Sequence, residues 1–413
     1  MTTASIPSAV AATCLLRQFT TLVHETGPHL SEPVDAGQSL AVGAAGKALL
    51  SVERAWYGGP WRPAHRLIAR TVAGEINAGD TGGLFLGATA VAFLLSAIPR
   101  DKDHLYAHAR HTLHQQVTAL AHRRADAARL RLRTGAPLAF ADYDLFYGLT
   151  GIGAHLLRTD PGGSALGHVL EYLVTLTRPR TLNDTELPGW WVHHDPLRTH
   201  SDRFPGGHAN LGAAHGITGP LLLLAKALRT GIEVDGHRDA IHTICDFLDT
   251  WRQGAPEGPW WPTCLSRDDV RRRRPGQDRP GRPSWCYGTT GIARAGQLAG
   301  IALGDTALQA FYEDALYRAL TDPLQLCAVV DAGLCHGWAG VYQTVLHAAE
   351  DAKDPRLPHL LHQLAGALVT HARPHTFKGT GLLDGATGTA LALSTLARSQ
   401  PPATGWDACL LID

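Results

Sequence analysis

Residues 285–293 read WCYGTTGIA, residues 334–340 read LCHGWAG, and residues 210–219 read NLGAAHGITG. Each stretch holds two glycines three positions apart, followed by small and apolar residues. Further copies of this Gly-x-x-Gly pattern begin at Gly43 (GAAG), Gly148 (GLTG) and Gly385 (GATG). A degenerate copy begins at Gly87 (GATA), where Ala90 replaces the second glycine. Counted with the copies at Gly216, Gly288 and Gly337, the seven lie at intervals of 44, 61, 68, 72, 49 and 48 residues. One such motif carries no information; seven, each leading into an apolar segment, are a repeat.

The segments after the glycines, such as GIGAHLL at 151–157 and GPLLLLAKAL at 219–228, read as helices buried on every side. Between the copies lie amphipathic helices. Leu166, Val169, Leu170 and Leu173 fall on one helical face, as do Ile241, Ile244, Cys245 and Leu248, and Leu357, Leu360, Leu361 and Leu364. Each repeat thus supplies one buried and one half-exposed helix. The expected fold is all-α: an α/α toroid of seven helix pairs forming a single domain over residues 1–413, with little strand. The long intervals leave room for a small insert or long loops in 88–215 and 254–283, where polar, proline-rich stretches run over 178–194 and 254–283.

The chain has 413 residues, of which 45% are hydrophobic and 18% charged, enough for a large core and against extended disorder. Basic and acidic residues balance at 37 each, so a general nucleic-acid partner is not expected. Seven cysteines, an odd number in a long chain, argue against a disulfide framework and for a reducing, cytoplasmic setting. No basic residue precedes Arg17, which does not suit a secretory signal. The most apolar stretch, Gly83 to Ile98, falls short of the ~18 residues that suggest a membrane span.

The chemistry-bearing residues sit at one phase of the repeat. Cys286 and Cys335 each stand two positions before the first glycine of their copy. His215, His336 and Asp384 stand one before, and Asp144 four before. Equal phase in a ring means equal height, so these side chains are expected at one end of it. Two cysteines and a histidine suggest one zinc ion held by Cys286, Cys335 and His336. No fourth ligand shares the phase, which suits an open, catalytic site. Both cysteines would lie near helix N-termini, where the dipole favours thiolate.

The remaining candidates read more plainly. Cys14, Cys245, Cys327 and Cys409 are expected to be small buried hydrophobes, with Cys264 less certain after the aromatic run PWWPTC. His193 and His194 read as solvated loop residues. Arg271 to Arg274 read as an exposed charged loop, close enough to Cys286 in sequence to meet a peptide.

The segments around Cys286, Cys335 and His215 resemble the signature motifs of the lanthionine synthetase C-like cyclases, and the repeat extends the resemblance from about Gly43 to Gly388. It implies an α/α toroid, and zinc ligands at Cys286, Cys335 and His336. It further implies a proton-transfer histidine at His215, an acidic partner at Asp144 in YDLFYG, and site residues Arg282 and Tyr287. With no kinase-like or dehydratase-like extension, the chain resembles a stand-alone cyclase. The implied reaction adds a cysteine thiol of a dehydrated precursor peptide to dehydroalanine or dehydrobutyrine. It closes a lanthionine or methyllanthionine ring, as in lantibiotic biosynthesis. A separate dehydratase and an exporter are implied partners.

That chemistry explains the residue types. A free thiol is mostly protonated at neutral pH and needs activation. The enolate left by addition needs a proton at the α-carbon, for which His215 is suited, with Asp144 to orient it. Arg282 could counter negative charge on the enolate oxygen. Three rivals stay open. Prenyltransferase-like thiol alkylation would use an Asp-Cys-His ligand set, against which the cysteine pair argues. Glutathione addition to dehydroamino acids would fit the same site. A non-catalytic zinc scaffold that only binds peptide would leave His215 unexplained.

Overall fold

The structure, a computed structural model, describes residues 6–25, 37–182, 185–377 and 379–413. Among these residues it contains seventeen α-helices and four strands of three residues each. Seven helices begin at the repeat glycines: Ala44–Trp56, Ala88–Ser96, Leu149–Thr159, Thr218–Arg229, Thr289–Leu303, Trp338–Asp351 and Ala386–Arg398. They are the buried helices the sequence called for. Thr218–Arg229 buries Leu221, Leu222, Leu223 and Leu224 in succession, which is possible only when neighbours surround the helix. Each such leucine contributes roughly 2 kcal/mol of burial.

The glycine pairs have a steric cause. At Gly46, Gly219, Gly291, Gly340 and Gly388 a Cβ on the second glycine would strike the main chain of the preceding loop at the residue six earlier. At Gly340 it would lie 1.9 Å from the Leu334 carbonyl oxygen, and at Gly291 2.0 Å from that of Trp285. A Cβ on Gly288 would lie 2.2 Å from the Ser284 backbone nitrogen, the residue four earlier. The loop therefore folds back against the first helical turn, and only a residue without a side chain leaves space for it. The Gly337 N–H closes such a turn by donating to the Gly333 carbonyl at 3.1 Å, and the Gly288 N–H does the same to Ser284 at 3.0 Å.

By its internal contacts the chain groups into two compact units, Met1–Thr118 with Val329–Asp413, and Ala119–Ala328. In the first, Ala44–Trp56 pairs with Trp61–Thr71 and Trp338–Asp351 with Arg356–His371. The last buried helix, Ala386–Arg398, takes the N-terminal helix Ile6–Glu25 as its partner. The C-terminal segment is anchored in the same unit. Glu53 accepts from the Thr404 N–H and hydroxyl, and Asp407 accepts from Gln343 and His347, both at 2.6 Å.

In the second unit, Leu149–Thr159 pairs with Ser164–Leu176, Thr218–Arg229 with His237–Thr250, and Thr289–Leu303 with Thr306–Ala319. The long intervals hold the 28-residue helix Ala107–Thr134 and two antiparallel ribbons. One ribbon pairs Arg180–Leu182 with Thr185–Leu187, and the other His208–Asn210 with Cys264–Ser266. Of the amphipathic faces, Leu361 alone is incompletely buried. No helix among the described residues is long and apolar enough to cross a membrane.

The loops that open the buried helices are tied to one another through main chain. Leu40 N–H donates to Phe85, Leu382 to Ala41, and Leu334 and Cys335 both donate to Leu383. Likewise Leu145 donates to Ala214, and Ala214 to Cys286. Residues at the repeat phase are thereby held by backbone, independent of side-chain identity.

Candidate functional site

Asp144 ends a one-turn helix, Phe140–Tyr143, that precedes the third glycine pair. The loop is fixed from outside. Arg124 donates to the carbonyls of Ala141 and Tyr147, and Arg131 pairs with Asp142 at 3.0 Å. Asp144 is fully buried. Its Oδ1 accepts the Tyr147 N–H at 2.6 Å, and its Oδ2 lies 2.6 Å from His215 Nδ1. Burial pushes the Asp144 carboxyl above its usual range, while the hydrogen bond and charge of His215 and the amides of Tyr147 and Gly148 pull it back down.

His215 is a fifth exposed and enclosed by aromatic rings. Phe140 stacks on it at 5.1 Å between centroids, and Tyr147 at 5.5 Å with planes 12° apart. Phe146 leans in at 4.9 Å and Tyr287 at 6.2 Å. The Tyr143 hydroxyl donates to the His215 carbonyl at 3.2 Å. With Nδ1 committed to Asp144, Nε2 is the ring atom left to face a substrate.

Cys286 is buried three residues before its helix Thr289–Leu303, with Ser284 Oγ 3.5 Å from its sulfur. Its carbonyl accepts from Ala214, the neighbour of His215, at 3.3 Å. The Tyr287 ring occupies the space where a Cβ on Gly212 would be, 2.6 Å away. Arg282 is half-buried in the same loop, and its carbonyl accepts from Ser284 at 2.8 Å. Cys335 and His336 open the helix Trp338–Asp351. His336 has Asp384 Oδ1 3.5 Å from Nδ1 and Asp331 Oδ2 3.7 Å from Nε2.

Cys286 belongs to the second unit and Cys335 and His336 to the first, and the three offer two thiols and an imidazole, the donor types that zinc takes. The other cysteines differ in kind. Burial pushes the Cys245 thiol up to about 12 and the Cys264 thiol up to about 11, which makes both poor nucleophiles. Cys409 is buried as expected. Cys14 and Cys327 are exposed, against expectation. Cys14 falls on the outward side of an amphipathic helix, and Cys327 ends a one-turn helix with its thiol donating to Leu324 at 3.0 Å.

His194 is not a free loop residue either. It packs edge-on to Phe140 at 4.6 Å and accepts the Phe140 N–H at Nε2. His193 is half-buried, and burial lowers its pKa. Arg271 to Arg274 are exposed, as read. Sequence reasoning missed Phe140 and Tyr147; the one available signal was the density of aromatics around Asp144.

A family model described as lanthionine synthetase C-like protein matches residues 35–411. The nisin biosynthesis protein NisC of Lactococcus lactis subsp. lactis is 23% identical over 269 residues. That match spans 64% of this chain and 61% of NisC, less than two thirds of the relative's length. The solved structure of nisin cyclase matches with a TM-score of 0.79 at 20% identity, over 97% of this chain and 96% of its own. This likeness shows the fold, and the α/α toroid expected from the repeat is the fold class it shares. Because the family match runs through nearly the whole length, the chain belongs to the lanthionine synthetase C-like family.

Proposed function

We propose that the chain is a zinc-dependent cyclase that adds cysteine thiols of a dehydrated precursor peptide to dehydroalanine or dehydrobutyrine, forming lanthionine or methyllanthionine. The observation that carries this reading is the family match over residues 35–411, within which Cys286, Cys335 and His336 supply two thiols and an imidazole. Beside it stands the His215–Asp144 pair, in a loop bonded to that of Cys286. Two thiols and an imidazole are a donor set that zinc prefers, and three protein ligands leave a position for substrate. When bound there, zinc would supply Lewis-acid activation of the peptide thiol.

The chain's own residues do the rest. Asp331 and Asp384 flank the two nitrogens of His336, so either can orient the ring while the other nitrogen ligates. Addition forms the C–S bond and shifts the double-bond electrons onto the enolate oxygen. The thiol's proton leaves, and one proton must reach the α-carbon. His215 Nε2 delivers it, because Asp144 holds Nδ1 and leaves Nε2 to face the substrate. Arg282 counters the enolate's charge, and Tyr287 borders the same space beside His215. In this reading the whole chain is one cyclase domain in the cytoplasm, served by a separate dehydratase and followed by an exporter.

Elemental analysis of the purified protein and of Cys335→Ala tests the metal, with ring closure followed by counting peptide thiols that resist alkylation. The expected result is about one zinc per chain, lost together with ring closure in the variant, since two ligands hold the ion poorly. Full zinc in Cys335→Ala would overturn the ligand assignment.

A further inference from the structure

The loop from Asp195 to Thr199 stands beside the His215 rings and has no part in the chemistry above. It is built to hold one shape. The Asp195 side chain accepts from Leu197 N–H at 2.9 Å, from Thr199 N–H at 2.8 Å and from the Thr199 hydroxyl at 2.7 Å. These bonds hold the Asp195 carboxyl below its ordinary range. At the centre of the turn Arg198 adopts φ 63°, the left-handed region that a side chain with a Cβ disfavours. Strain of this kind persists only where the surroundings enforce it.

The enforced conformation sets the Arg198 guanidinium 4.3 Å above the centre of the Tyr147 ring. Tyr147 in turn lies nearly parallel to His215. A cation over an aromatic face keeps its outward N–H groups available. Arg198 is exposed, and among the described residues no carboxylate pairs with it. Its neighbour Leu197 is 82% exposed, an apolar side chain held out to solvent by the same turn. A fixed, unneutralised guanidinium beside a projecting leucine, one aromatic ring away from His215, is suited to a peptide with a carboxylate near the reacting residues.

We propose that Arg198 is a specificity-determining residue that receives a carboxylate of the peptide substrate next to the ring being closed. This rests on the cyclase reading for its substrate class. The test uses synthetic peptides with one cysteine and one dehydroalanine, in which Glu, Gln or Lys is scanned through the flanking positions. Competition between pairs gives ratios of kcat/KM. Wild type should favour Glu over Gln roughly three- to tenfold at one or more positions, less so in high salt. Arg198→Gln should bring that ratio close to one, and Arg198→Glu should shift preference toward Lys. A Glu preference unchanged in Arg198→Gln, or no Glu preference at any position in wild type, overturns the proposal. Anisotropy binding of the same peptides with Ala in place of dehydroalanine gives the ratio without catalysis. A wild type that discriminates in binding yet closes no ring would sink the cyclase reading and leave the Arg198 site standing.

Discussion

His215 and Asp144 are 71 residues apart in sequence, and their side chains meet at 2.6 Å, the imidazole partly open and the carboxylate wholly enclosed. Burial works against the charge on Asp144, so the fold carries that carboxylate at a cost. Asp144→Asn keeps the shape and removes the charge. Ring closure should fall roughly 10- to 10²-fold while zinc and folding stay near wild type. Unaltered turnover in a folded Asp144→Asn protein would show that the pair does not serve proton transfer.

The repeat glycines predict a contrast between two substitutions. A Cβ at Gly340 would meet the Leu334 carbonyl, which is backbone and cannot turn away. A Cβ at Gly366, in the half-exposed helix Arg356–His371, would meet nothing within 4 Å. Gly340→Ala should destabilise by ~2–3 kcal/mol or more, and Gly366→Ala should stabilise by up to ~1 kcal/mol. Denaturant midpoints measure both, and equal midpoints for the two variants would refute the steric account of the repeat.

His347 supplies a pH dependence of stability. Burial opposes its protonation, but the charge and hydrogen bond of Asp407, with help from Glu350 and Asp413, outweigh that and raise its pKa to about 9. A group raised on folding stabilises fully below its unfolded value of ~6.5, and the gain is lost as pH climbs through about 9. The contribution is on the order of 3 kcal/mol. Thermal unfolding followed from pH 6 to 10 should fall more steeply for wild type than for His347→Gln. Parallel curves would remove the ion pair from the account.

The repeat made the starts of the buried helices legible, because a steric requirement for glycine recurs at most of them. Within each unit, backbone ties between loops hold residues of one phase near each other, as Ala214 beside His215 is tied to Cys286, and Cys335 beside His336 to Leu383. Other features leave no periodic trace. Phe140 and Tyr147 reach His215 through the shape of one loop. The partner of the last buried helix is the N-terminal helix Ile6–Glu25, so that pair is formed by segments at opposite ends of the chain. The ribbon Arg180–Leu182 with Thr185–Leu187 lies in a polar, proline-rich stretch with no apolar alternation to announce it. Cys14 and Cys327 show that residue type alone does not decide burial when the helix face points outward.

The central claim, that metal binding and proton delivery are separate tasks of separate residues, is tested most directly in His215→Asn. Zinc content and ring closure of a dehydrated peptide are measured on the same preparation, with spontaneous cyclisation subtracted. Zinc should stay near wild type while enzymatic ring closure falls by roughly 10²-fold or more. A folded, zinc-replete variant that closes rings at the normal rate would contradict the account, as would zinc lost in step with activity.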